Sequence, residues 1–117
     1  MPIKLKRIYD EAEKSDGMRI LIDRLWPRGI TKEKAVLDEW LKTLAPSTEL
    51  RKWFHAAKEN ERWDEFVKKY KKELGSEEVQ EDLARLRGLA KKKTITLLTA
   101  TKDASESYLK VLEKYVH

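Results

Sequence analysis

The segment Asp23-Arg24-Leu25-Trp26-Pro27-Arg28-Gly29 gathers a carboxylate, two guanidinium groups and a flat aromatic ring in one short stretch. Guanidinium forks match the geometry of phosphates and carboxylates. An indole face suits a base or sugar ring, and a carboxyl at a strand end can move a proton. The run just before it, Ile20-Leu21-Ile22, is long enough for a buried strand, and ligands of α/β proteins sit at the carboxyl ends of strands. Far along the chain, Thr94-Ile95-Thr96-Leu97-Leu98-Thr99 is a second β-rich run, followed by Thr101, Lys102, Ser105 and Ser107. If these two strands are neighbours, both release their ends at one edge of a sheet. Arg24, Trp26, Arg28, Thr99, Lys102 and Ser107 then converge as ligand-binding groups, beside helix starts near Thr31 and Asp103 that favour anions. The chemistry this collects is capture of an anionic small molecule, such as a nucleotide or phosphate ester, with Asp23 as acid or base. His55 is the second catalytic candidate, although a His directly after Trp53-Phe54 more often caps a helix end. The loop also has an architectural reading, in which Asp23 pairs with Arg24 or Arg28 while Trp26 and Pro27 fill the core.

What is missing narrows the chemistry further. Neither a Walker loop nor Gly-x-Gly-x-x-Gly is present, so no cofactor is named by a motif. The chain has no Cys, which removes disulfides, thiol catalysis and thiolate metal sites. His55 and His117 lack a third ligand at metal spacing, so no metal site is expected. No basic-then-apolar leader opens the sequence and no apolar run nears the ~20 residues that span a bilayer. The expectation is a cytoplasmic protein with no membrane partner. A length of 117 residues suits a single domain over 1–117 that buries its core without staples. The Lys- and Glu-rich balance, with no Cys and little Met, fits a heat-adapted source. Charged residues make up 40% of the chain with both signs interspersed, so the net charge of +5 reads as a solvated mixed-sign surface. The locally basic clusters, Lys91-Lys92-Lys93 and Lys68-Lys69 with Lys71-Lys72, read as polar faces or ends of helices.

The elements that must position these groups follow from periodicity. Residues 3–9 alternate like a strand with one wet face near a sheet edge. Residues 10–17 form a turn or a short helical turn ending in Asp16-Gly17. Residues 19–23 form a second, central strand. Thr31 caps a helix carrying Val36, Leu37, Trp40, Leu41 and Leu44 at helical spacing. Pro46 ends it, and Ser47 caps the next, with Leu50, Trp53, Phe54 and Ala57 on one face. A third helix carries Trp63, Phe66, Val67, Tyr70 and Leu74 and stops at Gly75. Ser76 starts a fourth, with Val79, Leu83, Leu86 and Ala90 inward. After the third strand at 94–99, Asp103-Ala104-Ser105-Glu106 has a capping-box pattern, and Leu109, Leu112, Tyr115 and Val116 share the stripe of a last helix. The fold class is therefore α/β: a small, mainly parallel sheet with flanking helices and a helical insert between the second and third strands.

Arg7-Ile8-Tyr9-Asp10, Asp16-Gly17 and Asp23-Arg24-Leu25-Trp26-Pro27-Arg28-Gly29 together resemble the YeaO-like branch of the domain-of-unknown-function 488 family. So do Leu37-Asp38-Glu39-Trp40, Pro46-Ser47-Thr48-Glu49-Leu50-Arg51-Lys52, Phe54-His55 and Thr96-Leu97-Leu98 leading to Lys102. The likeness spans essentially the whole chain. It implies a small bacterial or archaeal cytoplasmic α/β protein whose first two strands are parallel, in a family with no settled activity. Other branches carry a Cys at the end of the last strand and a Cys-His pair in the following helix. The matching positions here are Thr99, Ser107 and Tyr108, so a family-wide thiol mechanism does not carry over. YeaO-like relatives often have Asn-His at those helix positions, and Ser107-Tyr108 departs from that as well.

Three readings of function remain. The leading one is binding of an anionic small molecule at the strand-end loops, with or without acid–base chemistry. A second is a nucleic-acid-binding or regulatory module using a helix pair around Pro46 with Arg51, Lys52 and Lys58. Its weakness is that both helices spend Trp and Phe on one face and show no clear basic recognition face. A third is an interaction protein that dimerises through an aromatic helix face. Glu39 with Asp38, and Glu49 with Arg51, are expected to be surface ion pairs. Trp40, Trp53, Trp63, Phe66 and Tyr70 follow helical spacing and are expected in the core before any stacking role.

Overall fold

A computed structural model describes residues 3–58, 61–102 and 107–116. The strands among them are β1 (Ile3–Arg7), β2 (Met18–Leu21), β3 (Glu39–Trp40) and β4 (Ile95–Thr99), and the helices are α1 (Lys32–Ala35), α2 (Thr48–His55), α3 (Trp63–Leu74), α4 (Glu77–Lys92) and α5 (Tyr108–Val116). The strands form one sheet in the order β1-β4-β2-β3, and every pairing is parallel. β1 lies at an edge, as its alternation suggests, and its residues are all half-buried. β4 is flanked on both sides and fully buried, which is why it reads as a nearly continuous apolar run.

Alternation along the strands divides the core between two faces. Ile20, Ile22, Ile95 and Leu97 pack with the apolar stripes of the helical layer, among them Leu50, Phe66, Tyr70, Leu83, Leu86 and Leu112. Ile8, Leu21 and Leu98 point the other way, where Ala35, Trp26, Ile30, Leu37 and Trp40 cover them. Buried charge accompanies this second, thinner cover. Asp16 Oδ1 lies 3.1 Å from Lys6 Nζ and Asp16 Oδ2 lies 2.6 Å from an Arg19 guanidinium nitrogen. Arg19 also donates to the Ala35 carbonyl at 2.9 and 3.1 Å. Burial pushes the Asp16 carboxyl up, but the Glu13 N–H, Lys6 and Arg19 outweigh it and hold the group below the usual carboxylate range.

The insert differs from expectation at its start. Thr31 does cap a helix, its side chain accepting from the Lys34 N–H at 3.2 Å, but the helix ends at Ala35 and Val36 turns left-handed at φ 48°. Glu39–Trp40 then forms a short edge strand beside β2 instead of continuing the helix. The open edge of β2 explains this. Its backbone groups take Asp38 and Leu41 as partners, through Asp38 N–H to the Arg19 carbonyl at 2.8 Å and Leu41 N–H to the Leu21 carbonyl at 3.0 Å. The Asp38 carboxylate adds a bond from the Arg19 N–H at 2.8 Å. The apolar residues that imitate a helical stripe are shared between layers: Leu37 and Trp40 under one face, Leu41 and Leu44 in the other.

The remaining helices start and stop where their residues direct. Ser47 accepts from the Leu50 N–H at 3.1 Å and opens α2, and α3 ends at Gly75. α4 buries Val79, Leu83, Leu86 and Ala90. Among the described residues, no helix is long and apolar enough to cross a membrane.

Candidate functional site

β2 and β4 are neighbours, so the loops that follow them leave from the same edge of the sheet. Asp23 sits between them with 3% of its surface exposed. Its Oδ2 accepts from the Ala100 N–H at 2.9 Å, tying the end of one strand to the end of the other. Its backbone carbonyl accepts from the Trp40 indole N–H at 2.6 Å. Above it, the first residue of α5 brings in a phenol. The Tyr108 oxygen lies 2.6 Å from Asp23 Oδ1 and 2.8 Å from Thr99 Oγ1, and it also contacts the Ile22 carbonyl.

The Tyr108 phenol is a donor shared between Asp23 Oδ1 and the Ile22 carbonyl, and the Ala100 N–H donates to Oδ2, so both carboxylate oxygens of Asp23 are engaged. Burial raises the Asp23 pKa, and the bonds from Tyr108 and Ala100 and the charge of Arg51 offset this only in part. Burial and the nearby Asp23 likewise push the Tyr108 phenol well above its ordinary range.

A cavity of about 530 Å³ opens over this cluster. Arg51 and His55 reach it from α2, one helical turn apart on the same face. Trp63 and Phe66 come from α3, Ala100, Thr101 and Lys102 from the loop after β4, and Ser107 and Tyr108 from the start of α5. Its aromatic wall is continuous: Phe54 lies 4.7 Å from Phe66 and 5.9 Å from Trp63, and Trp63 stacks on Phe66 at 5.5 Å. The opening therefore combines a guanidinium, an ammonium and an imidazole with flat apolar surface and hydroxyl groups.

The candidates from the sequence divide into two groups. Asp23, His55, Thr99, Lys102 and Ser107 meet at this cavity or in the hydrogen-bonded cluster that forms its floor. Arg24, Trp26 and Arg28 do not line it. Arg24 donates to the Ala45 carbonyl at 2.9 and 3.2 Å and lies 3.4 Å from the Thr43 carbonyl, satisfying acceptors just before Pro46. Trp26 donates to the Ile30 carbonyl at 2.9 Å and packs edge-on against Trp40 in the second core. Arg28 is exposed, and its carbonyl accepts from the Tyr9 hydroxyl at 2.6 Å. The loop thus leaves the shared rim after Asp23 and crosses to the opposite face. The Asp103-to-Glu106 capping pattern and Ser105 lie outside the described residues.

Arg51 lines the cavity, whereas the sequence alone places it elsewhere, in a surface ion pair or a nucleic-acid-binding helix. The signal that finds it is the four-residue spacing to His55, which puts both on one face of a helix capped at Ser47. In the sequence, Tyr108 stands out only as a departure from the family pattern. No group of three or more His, Cys, Asp or Glu residues suited to a metal occurs among the described residues.

Residues 2–117 match a family model described as the inactive DUF488-N3 subclade. The chain is similar to uncharacterized protein YeaO of Escherichia coli (strain K12), 47% identical over 116 residues, which covers 99% of this chain and 97% of that one. It is also similar to uncharacterized protein Rv3073c of Mycobacterium tuberculosis (strain ATCC 25618 / H37Rv), 37% identical over 115 residues, which covers 98% of this chain and 93% of the relative. No solved structure matches. By this whole-length match and these relatives, the chain belongs to the DUF488 family, in its YeaO-like branch.

Proposed function

We propose that this protein binds an anionic small molecule, a nucleotide or phosphate ester, in the cavity between α2, α3 and the start of α5, and holds it without turning it over. The observation that carries the reading is the convergence of Arg51, His55 and Lys102 on one hollow with an aromatic wall. Arg51 and Lys102 suit a phosphate, and Phe54, Trp63 and Phe66 suit the apolar face of a ring. Binding is preferred to catalysis for two reasons. Asp23 is buried with both carboxylate oxygens already engaged by Tyr108 and Ala100, which makes it a poorly placed general base. The family description, an inactive subclade, points the same way.

Thermal unfolding in the presence of inorganic phosphate, ribose 5-phosphate and the nucleoside mono- and diphosphates tests the proposal. A probe at a hundred times its dissociation constant stabilises the native state by about 2.7 kcal/mol. The expected result is an upward shift with at least one probe, lost in Arg51→Ala and in Lys102→Ala but kept in Arg28→Ala. No shift with any probe, or equal shifts in all three variants, would refute it.

A further inference from the structure

We infer that the groove between α3 and α5 is a binding track for a single strand of nucleic acid. This surface adjoins the cavity and shares Trp63 with it, but its four lysines belong to the groove and not to the cavity lining. The groove encloses about 530 Å³ and is lined by Lys68 and Lys71 from α3 and by Lys110 and Lys114 from α5, with Trp63, Asp64, Val67 and Val111. Spacings of three and four residues set each lysine pair one above the other along its helix, so two cationic rows face each other. The ion pairs among the described residues involve Lys6, Arg19 and Arg85, and none involves these four lysines.

A chain whose charges were placed only for solubility would intersperse signs here, because ammonium groups of one sign repel across a groove. Four lysines and a single acid, Asp64, instead hold a local positive potential that attracts polyanions. Nucleic acid fits better than an acidic peptide because an aromatic ring lines the track. Trp63 is half-buried and lines the neighbouring cavity as well. Cationic rows beside an accessible aromatic ring are the pattern of single-strand binders, in which phosphates meet the charges and a base meets the ring. Neither helix is the bare basic rod that enters the major groove of a duplex, since the inward faces of both are spent on the core.

Fluorescence anisotropy of a labelled oligothymidylate, followed through a salt titration, decides the matter. The logarithm of the binding constant is expected to fall against the logarithm of salt with a slope of about −3, at about −0.7 for each of four phosphates neutralised. The double variant Lys68→Ala/Lys110→Ala halves that slope without moving the thermal midpoint, because both side chains are exposed. Arg51→Ala, a cavity substitution, retains it, so the failure of one reading is separable from the failure of the other. No binding at low salt, a slope unchanged in the lysine variant, or a slope lost only in Arg51→Ala would overturn the inference. So would equally tight binding of poly-glutamate or of a duplex of the same length.

Discussion

Two buried acids in this protein titrate in opposite directions, and each leads to a prediction. Burial raises the Asp23 pKa, so the folded chain holds that proton more tightly than the unfolded chain does. The stability it contributes is complete below the ordinary carboxylate range and is lost as pH rises through the raised folded value. Asp23→Asn removes this titration and is expected to lose the decline in stability as pH rises, measured by urea unfolding at stepped pH. A decline that persists unchanged in the variant would mean that another group causes it. Asp16 behaves in the reverse sense. Its pKa is held down against burial, chiefly by the Glu13 N–H, Lys6 and Arg19, so its contribution is present above the ordinary range and lost as pH falls through the depressed folded value. Asp16→Ala leaves the Arg19 charge buried without its partner and is expected to cost about 3 kcal/mol or more by the same measurement.

At the scale of the element, the backbone needs glycine for different reasons at two turns. Gly17 has φ +66°, and a Cβ there would meet the Thr94 carbonyl oxygen at 2.1 Å, so β2 can begin beside β4 only without a side chain. Gly29 has φ +77°, and a Cβ there would meet nothing within 4 Å, so it needs glycine for its dihedral alone. Gly29→Ala is therefore expected to cost about 1 kcal/mol, and Gly17→Ala at least about 2 kcal/mol because backbone strain adds to a clash with main chain. Equal midpoint shifts in chemical denaturation would contradict this. Helices α2 to α5 were legible because their apolar residues recur on one face and Ser47 or Gly75 marks an end. The segment at 36–41 was not, because helical spacing in so short a stretch cannot be told from residues that serve two faces of a sheet edge in turn.

For the whole molecule, burial and pairing grade the sheet from the centre outward. β4 is buried at every residue and paired on both sides, whereas β3 is two residues long and paired only with β2. Hydrogen exchange is expected to be slowest at the β4 amides and orders of magnitude faster at Glu39 and Trp40. Comparable protection in both strands would mean that the edge strand is part of the cooperative core. The candidate site was legible to the extent that it depends on strand ends: Asp23, Thr99, Lys102 and Ser107 follow from two apolar runs releasing their ends together. His55 was legible as a candidate, but its neighbours were not. Arg51, Phe54 and Trp63 reach the cavity only because α2 and α3 fold over the sheet, a long-range packing outcome that local spacing does not encode.

Composition and periodicity alone determined the α/β class, the parallel strands' apolar character, the helix stripes and the absence of thiol chemistry, because each is a property of residue type or of near neighbours along the chain. Only the tertiary structure decided that the loop after Asp23 turns away, sending Arg24 to the Ala45 carbonyl and Trp26 to the second core. It also decided that Asp23 meets Tyr108, eighty-five positions further on. Which of several nearby cations reaches a shared rim depends on competition among distant carbonyls, indoles and helix faces for the same space, and that competition is settled only when the layers pack.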